Sequence, residues 1–144
     1  MIAVDTNILV AAHRAEAAAH ARAREAIRSL SEGAQPWAVP WSCVHEFLSV
    51  VTHPRVFQPP STMEEALDEV AAWLESGTLV LLAESEGYLD ILEALLRSGR
   101  IAGPKVHDAR IAALCRLHGV RELWSADRDF GRFPGLKVRN PLVG

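Results

Sequence analysis

The chain has 144 residues, 49% of them hydrophobic and 23% charged, with a formal net charge of −3. That length suits one domain with its own core, expected to span residues 1–144, and the composition is that of an ordinary soluble globular protein. No apolar run approaches the roughly 20 residues needed to cross a bilayer, and the total charge does not announce a nucleic-acid binder.

The distribution of charge is more informative. Residues 1–60 hold five acidic and five basic side chains, 61–96 hold nine acids and no Lys or Arg, and 97–144 hold ten basic and four acidic side chains. Solvated helix faces with a local sign bias are the simpler account, and a polarised binding surface is the sharper one. Cys43 and Cys115 lack CxxC spacing and sit among apolar neighbours, so they read as reduced core thiols. Asp5 interrupts the first apolar stretch before signal-peptide length, and no basic n-region precedes it. The expected location is the cytoplasm.

Ile2-Ala3-Val4 reads as a buried strand ending at a polar edge. Asn7 is a candidate cap for a helix over 8–12. Apolar spacing predicts a helix over 15–30, ended by Gly33. Trp37-Ala38-Val39 is a second strand closed by Pro40. Ser42 then caps a helix over 43–52 with Val44, Phe47, Leu48 and Val51 inward and Glu46 off that stripe. Thr62 and Glu65 fit a capping box at the head of a helix over 63–75. Its inward set is Ala66, Leu67, Val70, Ala71, Trp73 and Leu74, and Gly77 stops it. Residues 78–82 form a third strand, and a helix runs from Ser85 or Glu86 to near Gly99. A Gly/Pro-containing loop over 101–106 leads into a helix over 107–118, stopped by Gly119, with Ile111, Ala112, Leu114 and Cys115 buried. Residues 122–124 form a fourth strand, 127–133 a helical turn, and 137–139 an edge strand. Short strands alternating with helices, without repeat or linker, predict an α/β domain. It is expected to have three layers, with a mainly parallel central sheet flanked by helices.

In such sheets ligands bind beyond the carboxyl ends of the strands. Asp5 follows the first strand, Asp127 follows the fourth, and Asp108 opens the helix leading into the fourth. With Glu46 they make four acids able to share one end of the sheet. Carboxylates brought together repel, and one pKa is forced up unless a cation compensates. Oxygen donors without Cys or His favour Mg²⁺ or Mn²⁺ over zinc. Asp108, in a first helical turn, would also feel the positive end of the macrodipole. The hydroxyls of Thr6 and Ser125 are placed to hold a water or orient a carboxylate.

Singly, each residue has an ordinary structural account. Asp5-Thr6-Asn7 suits a strand-end turn and helix cap, and Glu46 a solvated helix face. Asp108 suits a first-turn charge, and Asp127 and Asp129 a cap and its neighbour. His107, with no partner His at metal spacing, reads as a surface residue. Trp37, Trp41, Trp73 and Trp124 read as core anchors. The conjunction carries the metal-site expectation.

The segments around these acids also resemble the PIN-domain ribonucleases. Ile2-Ala3-Val4-Asp5-Thr6-Asn7-Ile8-Leu9-Val10 is similar to their opening, and Val44-His45-Glu46-Phe47 to the segment with their helical Glu. His107-Asp108-Ala109-Arg110-Ile111-Ala112-Ala113-Leu114 and Trp124-Ser125-Ala126-Asp127-Arg128-Asp129-Phe130 are similar to their later acidic motifs, in the same order. Trp41, the stretch Thr52-His53-Pro54-Arg55-Val56-Phe57, and Phe133-Pro134-Gly135-Leu136 with Asn140-Pro141 resemble the branch of VapC toxins from toxin–antitoxin pairs. The resemblance implies an Mg²⁺- or Mn²⁺-dependent RNA endonuclease leaving 5′-phosphate and 3′-hydroxyl ends. It implies Asp5 and Asp108 as principal metal ligands and Asp127 and Glu46 as completing the pocket, with Asp129 at a less uniform acidic position. It also implies an antitoxin partner and a homodimer.

Glu46 or Asp127 is then the group that positions or deprotonates water. In the basic tail, Lys105, Arg110, Arg128 and Arg132 are the first candidates for phosphate contact, with Arg97, Arg100, Lys137 and Arg139 behind them. An antitoxin helix would need spare apolar surface, sought on residues 8–12, 43–51 and 63–74. Asn7 in place of a second Asp argues against a haloacid-dehalogenase phosphotransferase, and Ala83 after the third strand argues against a receiver domain. Neither GxGxxG nor GxxxxGK[ST] is present. The non-enzymatic alternative is a PIN scaffold that only binds RNA or protein.

Overall fold

Five short strands join side by side into a single sheet in the computed structural model, which describes residues 1–144. They are β1 (Ile2–Val4), β2 (Trp37–Pro40), β3 (Leu79–Leu82), β4 (Glu122–Trp124) and β5 (Lys137–Arg139), in the order β3-β2-β1-β4-β5. Every pair is parallel, with Ala3 opposite both Ala38 and Leu123. Apolar Ala3, Val4, Trp37, Ala38, Val39 and Leu123 are buried, because helices cover the centre of a parallel sheet.

Six helices supply the crossovers: α1 (Thr6–His13), α2 (His20–Ser31), α3 (Trp41–Val51), α4 (Met63–Leu74), α5 (Tyr88–Ser98) and α6 (Val106–Leu117). From β1 the chain steps outward through β2 to β3, then returns across the sheet to β4. Right-handed crossovers therefore place α1 to α4 on one face and α5 with α6 on the other. The contacts follow that division, α1 meeting α2 and α3, α3 meeting α4, and α5 meeting α6. The order reverses between β1 and β4, so a crevice opens beyond their carboxyl ends.

Several boundaries differ from the sequence expectation. Asp5, not Asn7, caps α1, its side chain accepting from Thr6 N. α2 starts at His20 instead of residue 15, because Arg14 leaves the helix to reach Ser61 Oγ (3.0 Å) and the Pro59 carbonyl (2.9 Å) and to lie over the Phe57 ring. Gly33 lies beyond the α2 cap, which is Glu32. α3 begins at Trp41 behind Pro40, and Ser42 caps nothing. The capping box at Thr62 and Glu65 is present as expected. In α4, however, only Ala66 and Trp73 are buried, and Leu67, Ala71 and Leu74 face outward. α5 starts at Tyr88, after Gly87 in the left-handed conformation. The loop before α6 contains a 3₁₀ turn, Gly103–Lys105, and a second 3₁₀ turn, Arg128–Arg132, follows β4. Both cysteines are free and buried, and burial pushes the Cys115 thiol up to about 12.

Candidate metal centre

β1 ends at Asp5 and β4 ends just before Ser125, so the crevice between them begins with polar groups. The strands are locked together there, Asp5 N donating to the Trp124 carbonyl at 3.0 Å and Ser125 N to that of Arg139 at 2.9 Å. The Asp5 carboxylate is buried at 6% exposure. It accepts from Thr6 N (2.8 Å) and Ser125 Oγ (2.7 Å), from Asn7 Nδ2 (3.3 Å), and more weakly from Cys43 Sγ (3.7 Å). Asn7 spans the crevice, donating to Ser125 Oγ and accepting from Ala126 N. Ser125 Oγ in turn accepts from Asp127 N at 3.0 Å.

The other acids arrive on separate elements. Glu46 projects from α3, Asp108 from the first turn of α6, and Asp127 caps the 3₁₀ turn after β4 by accepting from Asp129 N. Asp5, Glu46, Asp108 and Asp127 line one open cleft of about 540 Å³, with Thr6, Asn7, Ser42, His45, His107 and Arg110 among the other walls. The carboxylates of Asp108, Asp127 and Asp129 offer oxygens all within 4.8 Å of one another. Asp129, at the less uniform acidic position, thus stands with Asp108 and Asp127 in one carboxylate group.

The electrostatics record the crowding. Burial pushes the Asp5 carboxyl above its ordinary value, against the pull of its hydrogen bonds, and Asp108 adds to the rise. Burial first and Asp5 second raise Glu46, while burial and then Asp127 raise Asp108. One cation is already present. Lys105 pairs with Asp129, lies 3.7 Å from Asp108 Oδ2, and holds the Asp129 carboxyl below its ordinary value. Among the other candidate phosphate contacts, Arg110 lines the cleft but is paired with Glu84 at 2.5 Å, and Arg128 and Arg132 are exposed on the turn after Asp127.

A divalent cation fits this donor set. The oxygens are hard, the carboxylates are too many to be ionised together without compensation, and two hydroxyls in the walls lack partners. Thr6 Oγ1 and Ser42 Oγ are buried without a hydrogen bond, and such atoms in native proteins usually face a water or an ion. Sequence reasoning did not assign Asn7, Ser42, His45 or Lys105 these places. Only the polar residue types flanking each acid hinted at them. Trp41, read as a core anchor, is 40% exposed at the head of α3, unlike buried Trp37, Trp73 and Trp124.

Fold and site together define a class: a parallel α/β domain whose crossing point carries a cleft of hard oxygen donors. The PIN domain family model matches residues 2–136. Ribonuclease VapC43 of Mycobacterium tuberculosis is 35% identical over 144 residues, all of this chain and 97% of that protein. Ribonuclease VapC48 of the same organism is 28% identical over 140 residues, 97% of each. Among solved structures, M. tuberculosis VapC20, described as a toxin that cleaves the sarcin-ricin loop, superposes with a TM-score of 0.65 at 20% identity, over 91% of this chain and 93% of that one. VapBC2 from Rickettsia felis, bound to a DNA fragment from its promoter, gives 0.69 at 18% identity, over 97% and 98%. The chain belongs to the PIN-domain family, within its VapC ribonucleases. No helix is long and apolar enough to cross a membrane.

Proposed function

We propose that this chain, acting as one domain over residues 1–144, is a Mg²⁺- or Mn²⁺-dependent endoribonuclease and the toxin of a cytoplasmic toxin–antitoxin pair. The observation that carries the reading is the convergence of Asp5, Glu46, Asp108 and Asp127 on one cleft with a buried, unpartnered Thr6 hydroxyl. Asp5 and Asp108 are the principal metal ligands, and Asp127 and Glu46 complete the pocket. Asp129, within the tight carboxylate group, is a further donor. When bound, the cation supplies charge stabilisation at the phosphate and a more acidic water.

The chain's own groups supply the rest. Ser125, Thr6 N and Asn7 fix the Asp5 carboxylate in one orientation. Glu46 is the base, because it lines the cleft beside Asp5 and Asp108, whereas one oxygen of Asp127 is taken up in capping the turn after β4. Glu46 takes a proton from water, the water oxygen bonds to phosphorus as the bond from phosphorus to the 3′ oxygen breaks, and the departing 3′ oxygen takes a proton from solvent. The products are a 5′-phosphate and a 3′-hydroxyl. Arg128 and Arg132, with Lys105 and Arg110 once released from Asp129 and Glu84, contact flanking phosphates.

Proposed partners are an RNA, an antitoxin and a second copy of the chain. Of the three helical segments considered as spare apolar surface, 8–12 and 43–51 are largely spent on the core. α4 leaves Met63, Leu67 and Leu74 about half exposed at helical spacing, which suits an amphipathic partner helix. The test is incubation of total RNA with the protein in Mn²⁺, in chelator, and with Asp5→Asn, followed by sequencing of the cut ends. Metal-dependent cuts with 5′-phosphates, lost in the variant with folding intact, are expected. Binding without metal-dependent cutting would instead favour a non-catalytic scaffold.

A further inference from the structure

We infer that Trp41 and His45 form a stacking platform for one nucleobase of the RNA, at the rim of the acidic cleft. The inference rests on the nuclease reading and deepens it by naming what holds the substrate beside the carboxylates.

Trp41 and His45 lie one turn apart on α3 and therefore share a face. Their rings are 6.2 Å apart between centroids and tilted by 36°. His45 lines the cleft, as do its helix neighbours Ser42 and Glu46, and Trp41 stands beside the His45 ring just outside that lining. Trp41 is the one indole of the four left exposed, at 40%. The cleft itself repels an approaching phosphate through its acids, and Lys105 and Arg110 are already paired with carboxylates. A π-surface beside it adds affinity through stacking with the base and not through the phosphate charge. Aromatic stacking tolerates every base, because each has a π-face, but it needs a base unstacked from its own neighbours. An anchor between protein copies would sit in a dry apolar ring, whereas Trp41 is followed by Ser42, His45 and Glu46 on the cleft side. The platform therefore selects single-stranded segments over duplex and seats a base next to the phosphate to be cut.

The test uses two fluorescein-labelled probes of equal charge, a ten-nucleotide oligoadenylate and a ten-unit abasic ribose phosphate. Anisotropy titrations in Mg²⁺ are made in an Asp5→Asn background to prevent cutting. Trp41→Ala is expected to weaken oligoadenylate binding about tenfold or more and to leave the abasic probe unchanged, with Trp41→Phe retaining most of the affinity. Loss on both probes alike, or on neither, overturns the platform. So does a change in oligomeric state with RNA affinity intact, which would make Trp41 an interface between copies. Cutting of total RNA by the Asp5-containing protein in Mn²⁺ is scored separately. Cutting without base-dependent binding sinks the platform alone, and base-dependent binding without cutting sinks the nuclease reading alone.

Discussion

Single side chains in this cleft are held in tension with one another. Asp5 and Asp108 are raised from the ordinary 3.8 and Glu46 from 4.5, in each case first by burial. A carboxyl raised in the folded state contributes stability fully below its ordinary pKa, and that contribution is lost as pH rises through the raised value. In chelator the cleft acids therefore oppose folding more strongly at about pH 7 than at about pH 4. A bound cation removes that penalty. The Mn²⁺-induced rise in Tm is expected to grow between those two pH values, and thermal melts with and without chelator will measure it. A rise that shrinks with pH would contradict the assignment. Lys105 poses a second test at this scale, since its ammonium sits where the cation would compensate Asp108 and Asp129. Lys105→Met is expected to tighten Mn²⁺ binding several-fold by calorimetry. Unchanged affinity would mean that the ammonium and the cation do not compete.

At the level of elements, some ends were written locally and some were not. The capping box at the head of α4 needs only Thr62 and Glu65, three residues apart, and both of its hydrogen bonds form, at 3.1 and 3.0 Å. Thr62→Ala is expected to lower stability by about 1 kcal/mol in urea denaturation without altering cutting. The start of α2 could not be read this way. An Ala-rich stretch is helical by propensity, but Arg14 is drawn off by Ser61, Pro59 and Phe57, 43 or more residues away. His20 is then pinned by its ring to the Ala11 carbonyl at 2.9 Å. The same corner is braced by His13, bonded through one nitrogen to Ser61 Oγ at 2.9 Å and through the other to Glu69 at 3.1 Å. α1, α4 and the loop before α4 thus meet at one polar knot, which apolar periodicity does not register.

For the whole molecule, the decisive feature is the reversal of strand order between β1 and β4. It carries the chain's first acid and its last acids to the same crevice from opposite ends of the sequence. Of the basic final third, Lys105 and Arg110 reach that crevice and Arg128 and Arg132 sit on the turn after Asp127, so a protein with net charge −3 presents cations beside an acidic cleft. Cutting and RNA binding are expected to weaken as salt rises, because phosphate contacts release counterions. A series of NaCl concentrations at fixed Mn²⁺ measures this, and indifference to ionic strength would remove the basic rim from the proposal.

The residue types, their order and their short-range spacing determined the strands, most helices and the parallel α/β class, since apolar periodicity and turn residues are local facts. Only the folded chain decided how the acids are held. Ser125 meets Asp5 across β1 and β4, Asn7 bridges to Ser125 and Ala126, Lys105 pairs with Asp129, and Trp41 is exposed instead of buried in the core. Those contacts join residues distant along the chain, and a hydrogen bond or an ion pair depends on separation in space, which sequence spacing does not encode.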